Sequence, residues 1–297
     1  MRAVRAGVWT RERALLLLPA ALLLAVVVVV PVLRVLMLSV NRVELEDGFR
    51  LHLAGIEPYL RLWLDGRWWT ALRNTAVFTV SSVALEMTLG VAFALVLHRA
   101  FRGRGLARAL VMLPWALPTA VMALAWAWIF NDSFGVANDL LRRLGLLPHP
   151  IAWLGQPVTA MLAMVVADVW KTTPFVALIA LAGLQAIPEQ VLEAARLDGL
   201  SAWQRFRRVT LPLLRPALLV AVAFRAVQAY GAFDLVYVMT GGGPGGSTET
   251  VSLYAFQNYF RYLDFGYGSA VATTGVLIVT ALVLALVRLA RPRAEAA

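Results

Sequence analysis

Long apolar runs separated by short polar connections dominate the chain. A helix needs about twenty residues to cross the hydrocarbon of a bilayer. Six runs reach that length: Leu15 to Leu38, Ala71 to Leu97, Ala109 to Phe130, Val158 to Leu184, Ala217 to Met239 and Ala270 to Leu289. In lipid a helix satisfies its backbone groups within its own segment, so the pattern predicts an all-α integral membrane protein of six transmembrane helices. The first run follows Arg2, Arg5, Arg11 and Arg13, as a secretory signal would. It is too long for a signal's apolar core, and Arg34 and Ser39 make a poor cleavage exit, so it reads as a span.

Between the fourth and fifth runs the pattern changes to that of short, capped helices. Pro188 can open a helix, since the N–H it lacks would be unpaired in the first turn, and Gly199 can end it in the left-handed conformation. Ser201 followed by Gln204 has the spacing of a capping box that starts a second helix. Pro212 predicts its stop near Thr210, because the residue before a proline disfavours helical backbone. The segment is therefore expected to form a compact helix-turn-helix.

Composition sharpens the membrane assignment. The chain is 61% hydrophobic and 15% charged, against roughly a quarter charged in ordinary soluble domains. Its net charge of +10 would suggest nucleic acid in a soluble protein. Here the arginines flank apolar runs, where orientation rules and anionic headgroups account for them. They concentrate at the N-terminus, at Arg99, Arg102, Arg104 and Arg108, at Arg196, Arg205, Arg207, Arg208 and Arg215, and at Arg288, Arg291 and Arg293. In the first connection Glu44, Glu46, Asp47, Glu57 and Asp65 offset Arg42, Arg50, Arg61 and Arg67. The positive-inside rule then places both termini and the capped loop in the cytoplasm. Cysteine is absent, which excludes disulfides and thiolate chemistry, and His52, His98 and His149 lack metal-ligand spacing, so no metal site is expected. Trp63, Trp68, Trp69, Trp126, Trp128 and Trp153 read as an aromatic belt at the headgroups. The run Thr240 to Gly246 has no P-loop Lys-Ser/Thr and reads as a helix breaker at the membrane surface.

Polar residues inside the spans are costly and mark functional candidates. In the fourth run Asp168, Lys171, Thr172 and Phe175 share a helical face; in the fifth, Arg225, Gln228 and Ala232 share one face, and Tyr230, Asp234 and Tyr237 another. These residues could line a solute path, or Asp168 could pair structurally with Lys171 or Arg225. Glu86, isolated in the second run, reads as a structural or subunit-contact residue. Pro114, Pro118 and Pro174 are expected to kink their spans.

The pattern Glu193-Ala194-Ala195, Gly199, Val209-x-Leu211-Pro212, with Gly-Gly-Gly-Pro after the fifth run, resembles the permease subunits of binding-protein-dependent ABC importers, in particular the carbohydrate-uptake branch. Val209 stands where that family usually has Ile. The resemblance implies the type I ABC importer permease fold. Residues 1–68 would hold a cytoplasmic tail, the first helix and an outward loop; residues 69–289 the transmembrane domain with a coupling loop at 185–216; and residues 290–297 a cytoplasmic tail. It also implies that Glu193, Ala194, Ala195, Asp198, Gly199, Leu211 and Pro212 couple to a cytoplasmic ATPase, and that Asp168, Lys171, Thr172, Phe175, Arg225, Gln228, Tyr230 and Asp234 contribute to the substrate path. The chain would carry no catalytic residue and no cofactor, ATP and Mg belonging to the ATPase. Its partners would be a second permease in a heterodimer, two ATPase subunits, an extracytoplasmic sugar-binding protein, a sugar and the lipid of a bacterial or archaeal plasma membrane, with no nucleic acid. The alternatives from residue types are an ion-coupled secondary transporter and an ABC permease for a non-sugar solute.

Overall fold

The computed structural model describes residues 11–44 and 50–290. The charges of Arg2, Arg5, Glu46, Asp47, Arg291 and Arg293, and the tail 291–297, lie outside the described residues. The chain forms two compact units, one holding residues up to Leu64 together with Gln257–Thr273, the other Asp65–Phe256 with residues from Thr274 onward.

In the first unit, α1 (Arg11–Leu24), a π-helical turn (Ala25–Val29) and α2 (Val30–Leu38) follow one another without a break. Pro31 is the second residue of α2. Its ring would press on the carbonyl one turn back, and the wider π turn just before it relieves that clash. Leu22, Val26 and Leu33 are exposed, as a lipid-facing span requires. A short antiparallel hairpin follows, β1 (Asn41–Glu44) with β2 (Arg50–Leu53), then α3 (Glu57–Leu64). Acidic and basic residues of this connection pair: Arg42 donates to Glu57, and Arg61 donates to Asp264 at 2.6 Å while stacking over the Tyr267 ring.

In the second unit, α4 (Gly66–His98) starts where the Asp65 carboxylate accepts the Arg67 N–H, and it packs along α8 (Pro157–Gln185). Hydrophobicity does not drive helices together in lipid, so close packing of small residues matters more. Ala160, Ala163, Ala167, Ala177 and Ala180 of α8 are buried, and a Cβ on Gly90 would lie 2.6 Å from Val176. Between α4 and α8 come α5 (Arg104–Ala116), α6 (Thr119–Ile129) and α7 (Val136–Arg143). Beyond α8 lie α9 (Glu189–Leu197), α10 (Ala202–Arg205), α11 (Leu211–Tyr230), α12 (Asp234–Met239), α13 (Val251–Phe256) and α14 (Phe265–Ala290), the last beginning in the first unit. Phe78, Met122, Met164, Val236 and Leu253 centre one core, and Leu97, Leu181, Leu184 and Leu214 a second.

Among the described residues, five helices are long and apolar enough to cross a bilayer, and α5 with α6 supplies the sixth apolar stretch, bent by 92°. The run Ala109 to Phe130 is therefore not one rod. Leu117, ahead of Pro118, is extended, as a residue before proline prefers, and the helix breaks there. Pro114 and Pro174 lie inside their helices.

The fifth run also differs from expectation. Its helix begins at Ala202 and ends at Tyr230, while Asp234–Met239 forms a separate element after Gly231. The expected stop near Thr210 does not occur. A π turn at Phe206–Thr210 carries the helix into Pro212, the second residue of α11, as another does for Pro31. Arg205, Arg207, Arg208 and Arg215 hid this continuation from a hydropathy reading.

The glycine-rich run does more than interrupt a helix. Gly241 and Gly242 have φ of 61° and 89°, where a side chain is strained, and the following residues are anchored to α4. Asn74 donates to the Gly246 carbonyl at 2.9 Å, Thr75 accepts the Val251 N–H at 2.9 Å, and Arg67 grips buried Glu249 through two hydrogen bonds. Trp68 is 2% exposed and belongs to the core, not to a headgroup belt, whereas Trp63, Trp69 and Trp128 are exposed.

Candidate functional site

The two helix breaks frame a cavity of about 390 Å³, lined by Trp115 and Thr119 beside the first, by Asp168, Lys171 and Thr172 of α8, and by Arg225, Gln228, Gly231 to Leu235 around the second. Where a helix stops, its backbone and side chains can line a hole that two continuous helices would fill by packing. The cavity thus collects Asp168, Lys171, Thr172, Arg225, Gln228 and Asp234 from the sequence candidates. Phe175 and Tyr230 lie outside its lining. Phe175 stacks between Trp115 and Phe224, at 6.0 and 4.7 Å between ring centres. Tyr230 is buried, and its hydroxyl has no hydrogen-bond partner among the described residues.

Arg225 organises the cavity wall. Its Nε and Nη2 reach the two Glu86 carboxylate oxygens at 2.5 and 2.8 Å, a two-pronged contact matched to the flat guanidinium. Nη2 also reaches Asp168 Oδ2 at 2.9 Å, and Nη1 reaches Gln228 Oε1 at 2.8 Å. Thr172 supports Glu86 from the other side, Oγ1 to Oε1 at 2.7 Å. Lys171 instead donates to the Leu117 carbonyl at 2.8 Å, which the break before Pro118 leaves available. Of the two pairings open to Asp168, the one with Arg225 forms.

Glu86, expected from its isolation in the second run to be a structural hydrogen-bonder or subunit-contact residue, is a structural hydrogen-bonder. It is the anchor of this cluster, fully buried in α4 and 139 residues from its partner in the chain. One signal was available: a lone carboxylate and a lone arginine in separate apolar runs each need a partner. Trp115 and Thr119 carried no such signal, since the break at Pro118 brings them to the cavity. Among the described residues, no group of His, Cys, Asp and Glu could hold a metal ion.

The capped loop is built locally. Pro188 occupies the position just before α9. At its far end Gly199 has φ 74°, its N–H donates to Arg196 O, and the Leu200 N–H donates to Ala195 O, a Schellman closure. Ser201 and Gln204 exchange both bonds of the capping box. Ala195 turns inward, while Glu193, Ala194 and Asp198 are exposed, with Leu197 and Trp203 among the most exposed apolar residues of the loop. Leu211 and Pro212 are half-buried at the start of α11.

Residues 86–295 match the family described as binding-protein-dependent transport system inner membrane component. Over 281 residues, 95% of this chain and 94% of the relative, the sequence is 41% identical to the trehalose/maltose transport system permease protein MalF of Thermococcus litoralis. Over 277 residues, 92% and 89% of the two chains, it is 40% identical to the sulfoquinovosyl glycerol transport system permease protein SmoG of Agrobacterium fabrum. The fold is similar to that of a chain in the crystal structure of a bacterial alginate ABC transporter in complex with alginate pentasaccharide-bound periplasmic protein. That likeness has a TM-score of 0.80 at 19% identity and covers 94% of this chain and 93% of the other.

Proposed function

Because this chain belongs to the binding-protein-dependent transport system inner membrane components and has the fold of type I ABC importer permeases, we propose that it is the permease subunit of an ATP-driven sugar importer. It lines half of the translocation path and performs no chemistry. A second, different permease supplies the other half, and two cytoplasmic ATPase subunits hold the ATP and Mg. An extracytoplasmic binding protein delivers the sugar. Both termini and the loop 185–216 face the cytoplasm of a bacterial or archaeal cell, and residues 69–289 form the transmembrane domain. The permeases for trehalose or maltose and for sulfoquinovosyl glycerol among its relatives support a sugar as cargo.

The observation that carries this function is the reach of α8. Asp168 and Thr172 of α8 line the cavity, and its C-terminal end leads into α9 after Ala186 to Pro188. From Asp168 to Gln185 is roughly 25 Å along a helix rising 1.5 Å per residue. A pull on α9 is therefore transmitted through a stiff element to the cavity wall. Glu193 and Ala194 on the exposed side of α9 meet the ATPase; Ala195 holds the helix to its own loop, and Gly199, Asp198, Leu211 and Pro212 shape the return into α11. ATP-driven closure of the ATPases tilts α8 and α11 together and changes which side of the membrane the cavity faces.

Proteoliposomes holding the assembled transporter test this directly. Glu193→Lys and Gly199→Pro are expected to abolish sugar uptake and sugar-stimulated ATP hydrolysis while membrane insertion is retained. Undiminished uptake in both variants would overturn the proposal.

A further inference from the structure

The connection after the first span carries an apolar stripe on its outside. Ile56, whose carbonyl accepts the first helical bond of α3, is followed by Leu60, Trp63 and Leu64 at the spacing of one helical face. All four are exposed, Leu64 at 88%. Pro58 and Leu62, on the opposite side of α3, are buried and hold the helix to its own unit. Glu57 and Arg61 lie one turn apart on the flank between these two faces, and both line a pocket of about 340 Å³. We propose that α3 lies in the outer interface of the bilayer and that this pocket holds the headgroup of a zwitterionic phospholipid.

Continuity with the lipid-facing span argues for lipid as the occupant. A four-residue strand and its partner join α2 to α3, and Val32 and Leu33 of α2 are exposed in a span with no buried share. The apolar surface of the span thus continues onto α3. With the N-terminus in the cytoplasm, as proposed above, this end of α2 is the outer one. A short helix with an apolar stripe, a charged flank and a tryptophan suits the depth of the headgroups.

The charges of the pocket select the headgroup. Its inner wall is fixed: Arg61 donates to Asp264 at 2.6 Å and stacks over the Tyr267 ring, whose own N–H donates to Asp264 at 3.1 Å. Gly266 lets the Asn41 carbonyl approach to where a Cβ would lie 2.2 Å away. Arg42 and Glu57, by contrast, are paired by one hydrogen bond and are 60% and 57% exposed. A guanidinium has five donors and a carboxylate two oxygens, so each keeps capacity for a ligand. A phosphate on Arg42 with a neighbouring ammonium on Glu57 matches this alternation of sign. An anionic headgroup would satisfy Arg42 and offer Glu57 only repulsion.

Two measurements on the assembled transporter in lipid nanodiscs test the site. Nitroxides on Leu60→Cys and Leu64→Cys, with partner subunits free of cysteine, should collide more with oxygen, which concentrates in lipid, than with an aqueous nickel chelate. Preferential collision with the chelate would put the stripe in water, and shielding from both would put the second permease on it; either overturns the proposal. Native mass spectrometry after release from equimolar phosphatidylethanolamine and phosphatidylglycerol reads the headgroup. Glu57→Gln should lower the ratio of retained ethanolamine to glycerol lipid by about threefold, the worth of one exposed ion pair. Glu44→Gln, a carboxylate of β1 outside the lining, should leave that ratio in place. An unchanged ratio in Glu57→Gln, or an equal fall in Glu44→Gln, would overturn the proposal.

Discussion

A guanidinium buried as deeply as that of Arg225 is tolerable only with its charge matched, because removing an ion from water costs several kcal/mol. Glu86 supplies the larger share of that match, through two hydrogen bonds. Glu86→Ala leaves the cation with Asp168 as its one remaining carboxylate partner and is expected to destabilise the chain by about 3 kcal/mol, seen as a lowered unfolding temperature in detergent. Replacing the partners together, with Glu86→Leu, Arg225→Met and Asp168→Asn so that no carboxylate loses its cation, should recover most of that loss, since the replacements carry no charge to desolvate. If the single and combined variants unfold alike, the cluster is not what holds this part of α4 to α11. Gly199 is a second residue-level test. Nothing lies within 4 Å of a Cβ placed on it, but its φ is 74°, so Gly199→Ala should cost about 1–2 kcal/mol from backbone strain alone, measurable by thermal unfolding.

At the scale of elements, the spans are shaped where proline meets the helix. Pro118 breaks the third at 92°. Pro31 and Pro212 are instead absorbed by π turns that end two residues earlier. The apolar stretches and the caps of α9 and α10 are legible in the sequence, because hydropathy and capping are local. The same pattern puts a helix end before Pro212 and a kink at Pro118; the kink is present as a break, but the end before Pro212 is not, because a proline's local rule does not say whether the helix will stop, bend or widen. The packing of α4 on α8 supplies a further expectation. Gly90→Leu would drive a side chain into Val176 and the Ala177 backbone, and should destabilise by about 1–3 kcal/mol as an overpacking change, with a loss of folded protein on size-exclusion chromatography in detergent.

For the whole molecule, the sidedness proposed from charge can be read with a single probe, because the chain has no cysteine of its own. Glu193→Cys, exposed on α9, should react with a membrane-impermeant maleimide in inside-out vesicles from cells lacking the ATPase subunits, which would otherwise cover it, and not in intact cells. Labelling from outside intact cells would reverse the orientation and remove α9 from any cytoplasmic partner. The membrane class, the apolar stretches and the capped loop came from the sequence itself, since each depends on residues within a few turns of one another. The site came from it in part: polar faces of the fourth and fifth runs nominated most of the cavity lining. Which of those residues are free and which are engaged depended on tertiary structure. Glu86 meets Arg225 across 139 residues of chain, and the Pro118 break brings Trp115 beside α8. A lone charge in an apolar run announces that it must have a partner, but the partner's identity is decided by which helix faces it in the packed bundle.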